Sequence, residues 1–141
     1  MSPRHLVPLV AGCVALAAPA AALGAIKNLA LPSRNIGCIG ATLDGRTTLR
    51  CDIRETRAAT PPAPASCQGD FGDALEMSPT GRPRFICHGD TALPGPGART
   101  TPYGSTWRFG PFTCSVRTVG LTCRNAAGHG WFMSRERITR F

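Results

Sequence analysis

NIGCIGATLDGRTTLRCDIRE, residues 35–55, decides the fold. Two β-prone stretches flank Asp44-Gly45, and Asp-Gly between apolar runs is a strong signal for a two-residue hairpin turn. Cys38 and Cys51 stand almost symmetrically about that turn. A bridge between adjacent strands meets the α-carbon separation of a disulfide without bending the backbone, so hairpin and bridge predict each other.

Outward from this hairpin the chain continues in the same manner. AATPPAPAS (58–66) and PGPGARTTP (94–102) are Pro-rich and read as extended loops. Phe85 to Cys87 reads as a short strand. Phe112–Val116 and Gly120–Arg124 read as a second hairpin, with Cys114 and Cys123 facing across it. The two hairpins share a loose pattern that hints at internal repetition. Helical periodicity is absent after residue 26, although a short helical turn fits Ser134 to Ile138. Sixteen glycines, 13 prolines and frequent turn signals predict an all-β domain. Its expected form is a small disulfide-stapled antiparallel sandwich or a partly open barrel.

Ahead of the hairpin lies a different kind of segment. Arg4 and His5 precede an apolar stretch from Leu6 to Ala18, followed by Ala20, Ala21 and Ala22. This is the layout of a secretory signal, and it is too short to span a membrane, which takes about 20 residues. Residues 1–22 are therefore expected to be a signal peptide, and 23–141 a single disulfide-rich β domain. Secretion or a periplasmic location follows, with lipoprotein processing at Cys13 as the alternative. No later stretch has the length of a membrane span, and a monomer is expected.

Setting Cys13 aside leaves Cys38, Cys51, Cys67, Cys87, Cys114 and Cys123, an even number in an exported chain. Of the fifteen pairings, the sequential one is favoured by local geometry: Cys38–Cys51, Cys67–Cys87 and Cys114–Cys123. A structural zinc site is disfavoured because no C-x-x-C pair occurs. Neither a metal nor a cofactor is expected.

Without residues 1–22 the chain keeps 15 basic against 8 acidic side chains, a formal charge of +7. Such a domain suits an anionic ligand or a cell-envelope component. The arginines are scattered, though, and Lys27 is the sole lysine.

The polar residues that draw chemical interest are His88 and Asp90 in CHGDT, and His129 in GHGWF. Brought together, they would bind a metal or supply an acid and a base. Neighbouring glycines favour a plainer role, in which Asp90 caps backbone N–H groups and the imidazoles bond to the main chain. A small secreted nuclease would draw on Glu55, Glu76, His88, His129, Arg124 and Arg135. Ser134 with His129 lacks a G-x-S-x-G nucleophile elbow. Tyr103, Trp107, Phe109, Phe112, Trp131, Phe132 and Phe141 place most of the core in the carboxy-terminal part, unless some form a ligand platform beside Arg108 or Arg135. The balance favours a non-enzymatic binding or structural module of unknown specificity, with a small hydrolase using His88 and His129 as the alternative.

PSRNIGC (32–38), RCDI (50–53), FICHGDT (85–91), YG (103–104), FTCSVRTVGLTCRN (112–125) and GHGWFMSR (128–135) carry a resemblance that spans the whole domain. On these motifs the chain resembles a family of small exported bacterial proteins known as a domain of unknown function. The resemblance implies secretion, six cysteines and a β-rich fold, and it brings no activity or catalytic residue. That family usually has Gly where Arg34 stands and Phe where Trp131 stands.

Overall fold

A computed structural model describes residues 1–2 and 24–141; residues 3–22 of the expected signal segment, with Cys13, lie outside them. Ten strands form two five-stranded sheets, and there is no helix among the described residues. The first sheet runs β1 (Ala25–Ala30), β2 (Ile36–Leu43), β3 (Arg46–Ile53), β4 (Ala74–Met77), β5 (Arg84–Phe85). The second runs β6 (Thr106–Phe109), β7 (Phe112–Arg117), β8 (Gly120–Arg124), β9 (Gly130–Met133), β10 (Ile138–Arg140). Each is an antiparallel meander in which chain neighbours pair, and the sheets stay separate. The two sheets are not closed into one barrel, as expected of an all-β antiparallel sandwich or partly open barrel.

The Asp44-Gly45 turn forms as its sequence dictates. Leu43 pairs with Arg46, and both central residues have positive φ (49° and 73°), as a type I′ turn requires. β7 and β8 are likewise joined by two residues, Thr118 and Val119. The stretch expected as a helical turn is instead the β9–β10 connection. There the Ser134 amide donates to the Arg137 carbonyl (2.8 Å), and the Ser134 hydroxyl accepts the Arg137 amide (3.0 Å).

The hint of repetition extends to the whole molecule. In the first sheet Cys38 faces Cys51, Leu29 flanks Cys38, Leu75 flanks Cys51, and Leu49 faces Met77. In the second, Cys114 faces Cys123, Trp107 flanks Cys114, Trp131 flanks Cys123, and Leu121 faces Met133. All of these side chains are buried in one shared core. The core therefore draws on both halves, not mainly on the carboxy-terminal aromatic residues. Tyr103 is exposed, and Phe109, Phe132 and Phe141 are only partly buried.

Disulfides join Cys38 to Cys51, Cys67 to Cys87, and Cys114 to Cys123. The first and third are cross-strand and lie against each other between the sheets, with the Sγ atoms of Cys38, Cys51 and Cys123 within 4.8 Å of one another. Each bridge stays within its own half of the chain. Between the halves, the Trp107 indole donates to the Asn28 carbonyl (3.1 Å), Lys27 donates to the Arg108 carbonyl (2.8 Å), and Arg140 covers the Phe85 ring. β6 thus lies beside β1 and β10 beside β5.

Candidate functional site

Side chains alternate along β3, so Leu49, Cys51 and Ile53 enter the core while Arg50 and Asp52 point to the opposite face. That face would ordinarily be wet. Here the segment from His88 to Pro94 covers it, because Gly37, the strand partner of Asp52, has no side chain to hold the segment off. A β-carbon at Gly37 would stand 2.8 Å from the Leu93 α-carbon and would meet the Ala92 carbonyl. Asp52 is consequently only 1% exposed.

A buried carboxylate requires partners, and Asp52 has several. Arg50 forms a two-pronged fork with it, Nε to Oδ1 and Nη2 to Oδ2, both at 2.8 Å. The Ala92 amide (2.8 Å) and the Thr91 hydroxyl (3.2 Å) also donate to Oδ2. The third face of Arg50 reaches Asp90, with Nη1 on Oδ1 at 2.7 Å and Nη2 on the backbone carbonyl at 2.9 Å. The same carbonyl accepts His88 Nδ1 (2.7 Å), while His88 Nε2 meets Asp73 Oδ1 at 2.8 Å. A carbonyl and a carboxylate offer only lone pairs, so this arrangement favours the ring with both nitrogens protonated. Burial opposes the charge, but the hydrogen bonds to Asp73 and the Asp90 carbonyl outweigh it and raise the His88 pKa above the ordinary value. Asp90 is held below the usual carboxylate range by its hydrogen bond to Arg50 and by that residue's charge.

The structure therefore brings His88 and Asp90 into one network but leaves His129 elsewhere. The amide of His129 is capped by Asn125 Oδ1 (3.1 Å), and Asn125 Nδ2 donates to the carbonyls of Ser78 (3.0 Å) and Gly81 (2.8 Å). Asp73 and Ser78 bracket β4, whose length at the usual rise puts the two histidine neighbourhoods about 16 Å apart. The Asp90 carboxylate is bound chiefly by Arg50, and it is Asp52 that accepts the Ala92 amide. The remaining acid–base candidates are dispersed. Glu55 pairs with Arg135 at 3.3 Å, Glu76 with Arg84 at 3.0 Å, and Arg124 covers the Phe141 ring. Ser134 is engaged with Arg137. The cations seated over rings are Lys27, Arg124, Arg137 and Arg140, in place of Arg108 and Arg135.

A family model described as "Family of unknown function (DUF6636)" matches residues 8–141. The chain belongs to this family. No curated protein and no solved structure matches it. In this DUF6636 chain both ring nitrogens of His88 are engaged inside the protein, and Asp52 and Asp90 both hold Arg50. The network's six polar side chains, Arg50, Asp52, Asp73, His88, Asp90 and Thr91, clamp the 88–94 segment onto the first sheet. Arg50, Asp52, Asp73 and Asn125 were not singled out from the sequence. The available signal was the pair Arg50 and Asp52, two opposite charges that flank a core cysteine on one strand face.

Proposed function

We propose that this chain is an exported, non-catalytic binding or envelope-associated module whose polar cluster serves as scaffolding for its loops. One observation carries the reading: each nitrogen of His88 and each prong of Arg50 is engaged inside the protein, while His129 stands at the other end of β4. Three disulfides support a location outside the cytoplasm. No helix among the described residues is long and apolar enough to cross a membrane. A monomer is the form assigned in this reading.

The test is direct. The oxidised, purified protein incubated with RNA or DNA should leave both intact. If it degrades either, and His129→Ala abolishes the degradation without changing Tm, the module is an enzyme. Elemental analysis offers a second check, since stoichiometric metal lost in His88→Ala would replace the scaffold role with a metal site.

A further inference from the structure

The face of the first sheet that bears Arg50 continues along β3 into a second cationic feature. Arg46, Arg82 and Arg84 line a groove of about 580 Å³ together with Glu76. Glu76 is already paired with Arg84, whereas Arg46 and Arg82 are exposed and make no ion pair among the described residues. Arg82 also borders a second hollow of about 500 Å³, which runs past Pro83 to Arg140. The two hollows adjoin at Arg82 and together make a channel past edge strand β5: Arg46, Arg82 and Arg84 with Glu76 line its first part, and Arg82 and Arg140 line its second, where Arg140 is held by the Pro83 carbonyl (3.3 Å) and the Phe85 ring. The scatter of arginine along the sequence concealed this; folding gathers residues 46, 82, 84 and 140 onto one path.

We infer that this channel binds an acidic glycan, a sugar chain bearing carboxylate or phosphate groups at intervals. The inference rests on the binding-module reading and supplies its ligand class. Guanidinium forks suit planar or tetrahedral oxyanions, and a channel with charges at both ends and its middle suits a linear polyanion better than a single ion. Nucleic acid fits less well. Binders of single strands stack bases on free aromatic faces, and the rings at the channel, Phe85 and Phe141, are already covered by Arg140 (5.1 Å) and Arg124 (4.3 Å).

The experiment is a calorimetric titration of the full oxidised protein with oligogalacturonate at low and raised salt. Binding should weaken with salt and vanish when the uronates are methyl-esterified. The double variant Arg46→Gln/Arg82→Gln should bind at least about tenfold more weakly with unchanged Tm. Arg108→Gln/Arg117→Gln, equal in charge but on the second sheet, should lose less than about twofold. Equal loss in both double variants, or equally tight binding of an oligothymidylate of the same charge, would overturn the glycan channel. Absence of binding at low salt would overturn it too, while leaving the module reading intact. Cleavage of the oligogalacturonate would do the reverse, retaining the channel and removing the claim that the module is non-catalytic.

Discussion

His88 offers the clearest lever on the molecule. Its folded pKa lies above that of a free histidine, so its contribution to stability is fully present below about pH 6.5 and is lost as pH rises through the folded value. Unfolding free energies of the wild type and His88→Gln should therefore differ most near about pH 5 and converge toward about pH 9; a constant difference would mean that the ring is not charged in the fold. Asp90 works in the opposite sense. Its pKa is lowered, so the stability from its pairing with Arg50 is fully present above the ordinary carboxylate value and is lost as pH falls through the lower, folded value. Asp52 carries the larger structural burden, being buried and accepting from Arg50, Thr91 and Ala92. Asp52→Asn exchanges one of those acceptor oxygens for a donor and leaves Arg50 with exposed Asp90 as its one remaining counter-charge. The expected cost is about 3 kcal/mol by urea unfolding; a loss below about 1 kcal/mol would show the cluster to be peripheral.

At the scale of elements, the decisive contact is the close approach of the 88–94 segment to β2. Gly37→Ala should lift that segment, with a stability loss of about 1–3 kcal/mol typical of overpacking. Hydrogen exchange should show the Ala92 and Leu93 amides losing protection while the core amides of β7 and β8 keep theirs. Uniform loss across both sheets would count against a local effect. Arg34 reveals the same packing from the other side. It occupies a left-handed conformation (φ 59°) that favours glycine, and its guanidinium donates to the Ala98 carbonyl (3.1 Å) and the Gly95 carbonyl. The cost of the turn is thereby offset by a clasp on the second Pro/Gly loop. The two central hairpins were legible in the sequence because turn chemistry, strand residues and cysteine spacing agree there. The shorter strands were less so: the strand read over Phe85–Cys87 shares only Phe85 with β5 (Arg84–Phe85), and β10 has three residues, too few for any alternation to register. Ser134–Ile138 read as a helical turn because a serine–arginine turn looks alike at that length; pairing with β9 decides it.

For the molecule as a whole, the three bridges should differ in accessibility more than in intrinsic worth. Their separations of 9, 13 and 20 residues correspond to about 2.6 to 3.3 kcal/mol each by loop closure, a range of less than about 1 kcal/mol. Burial separates them further, since Cys38, Cys51, Cys114 and Cys123 are 0% exposed while Cys87 is exposed. Mild reductant with an alkylating trap should label Cys67 and Cys87 first, by mass spectrometry, and the other four only as the protein unfolds. Replacing either core pair by alanine should also cost more than replacing Cys67 and Cys87, because a cavity opens at the centre; the opposite order would make loop closure the governing effect. The all-β class and the staples were thus within reach of sequence reasoning, as were His88 and Asp90 as residues of note. Their partners were not, because Asp73 and His88 are fifteen positions apart and meet only through the bridge between Asp70 and His88. The same layout has a practical result. Every cystine closes within residues 38–87 or 114–123, so a protease site inserted between exposed Gly97 and Ala98 should yield a nicked protein that stays whole in native buffer. In detergent, without any reducing agent, it should run as two separate fragments on a gel.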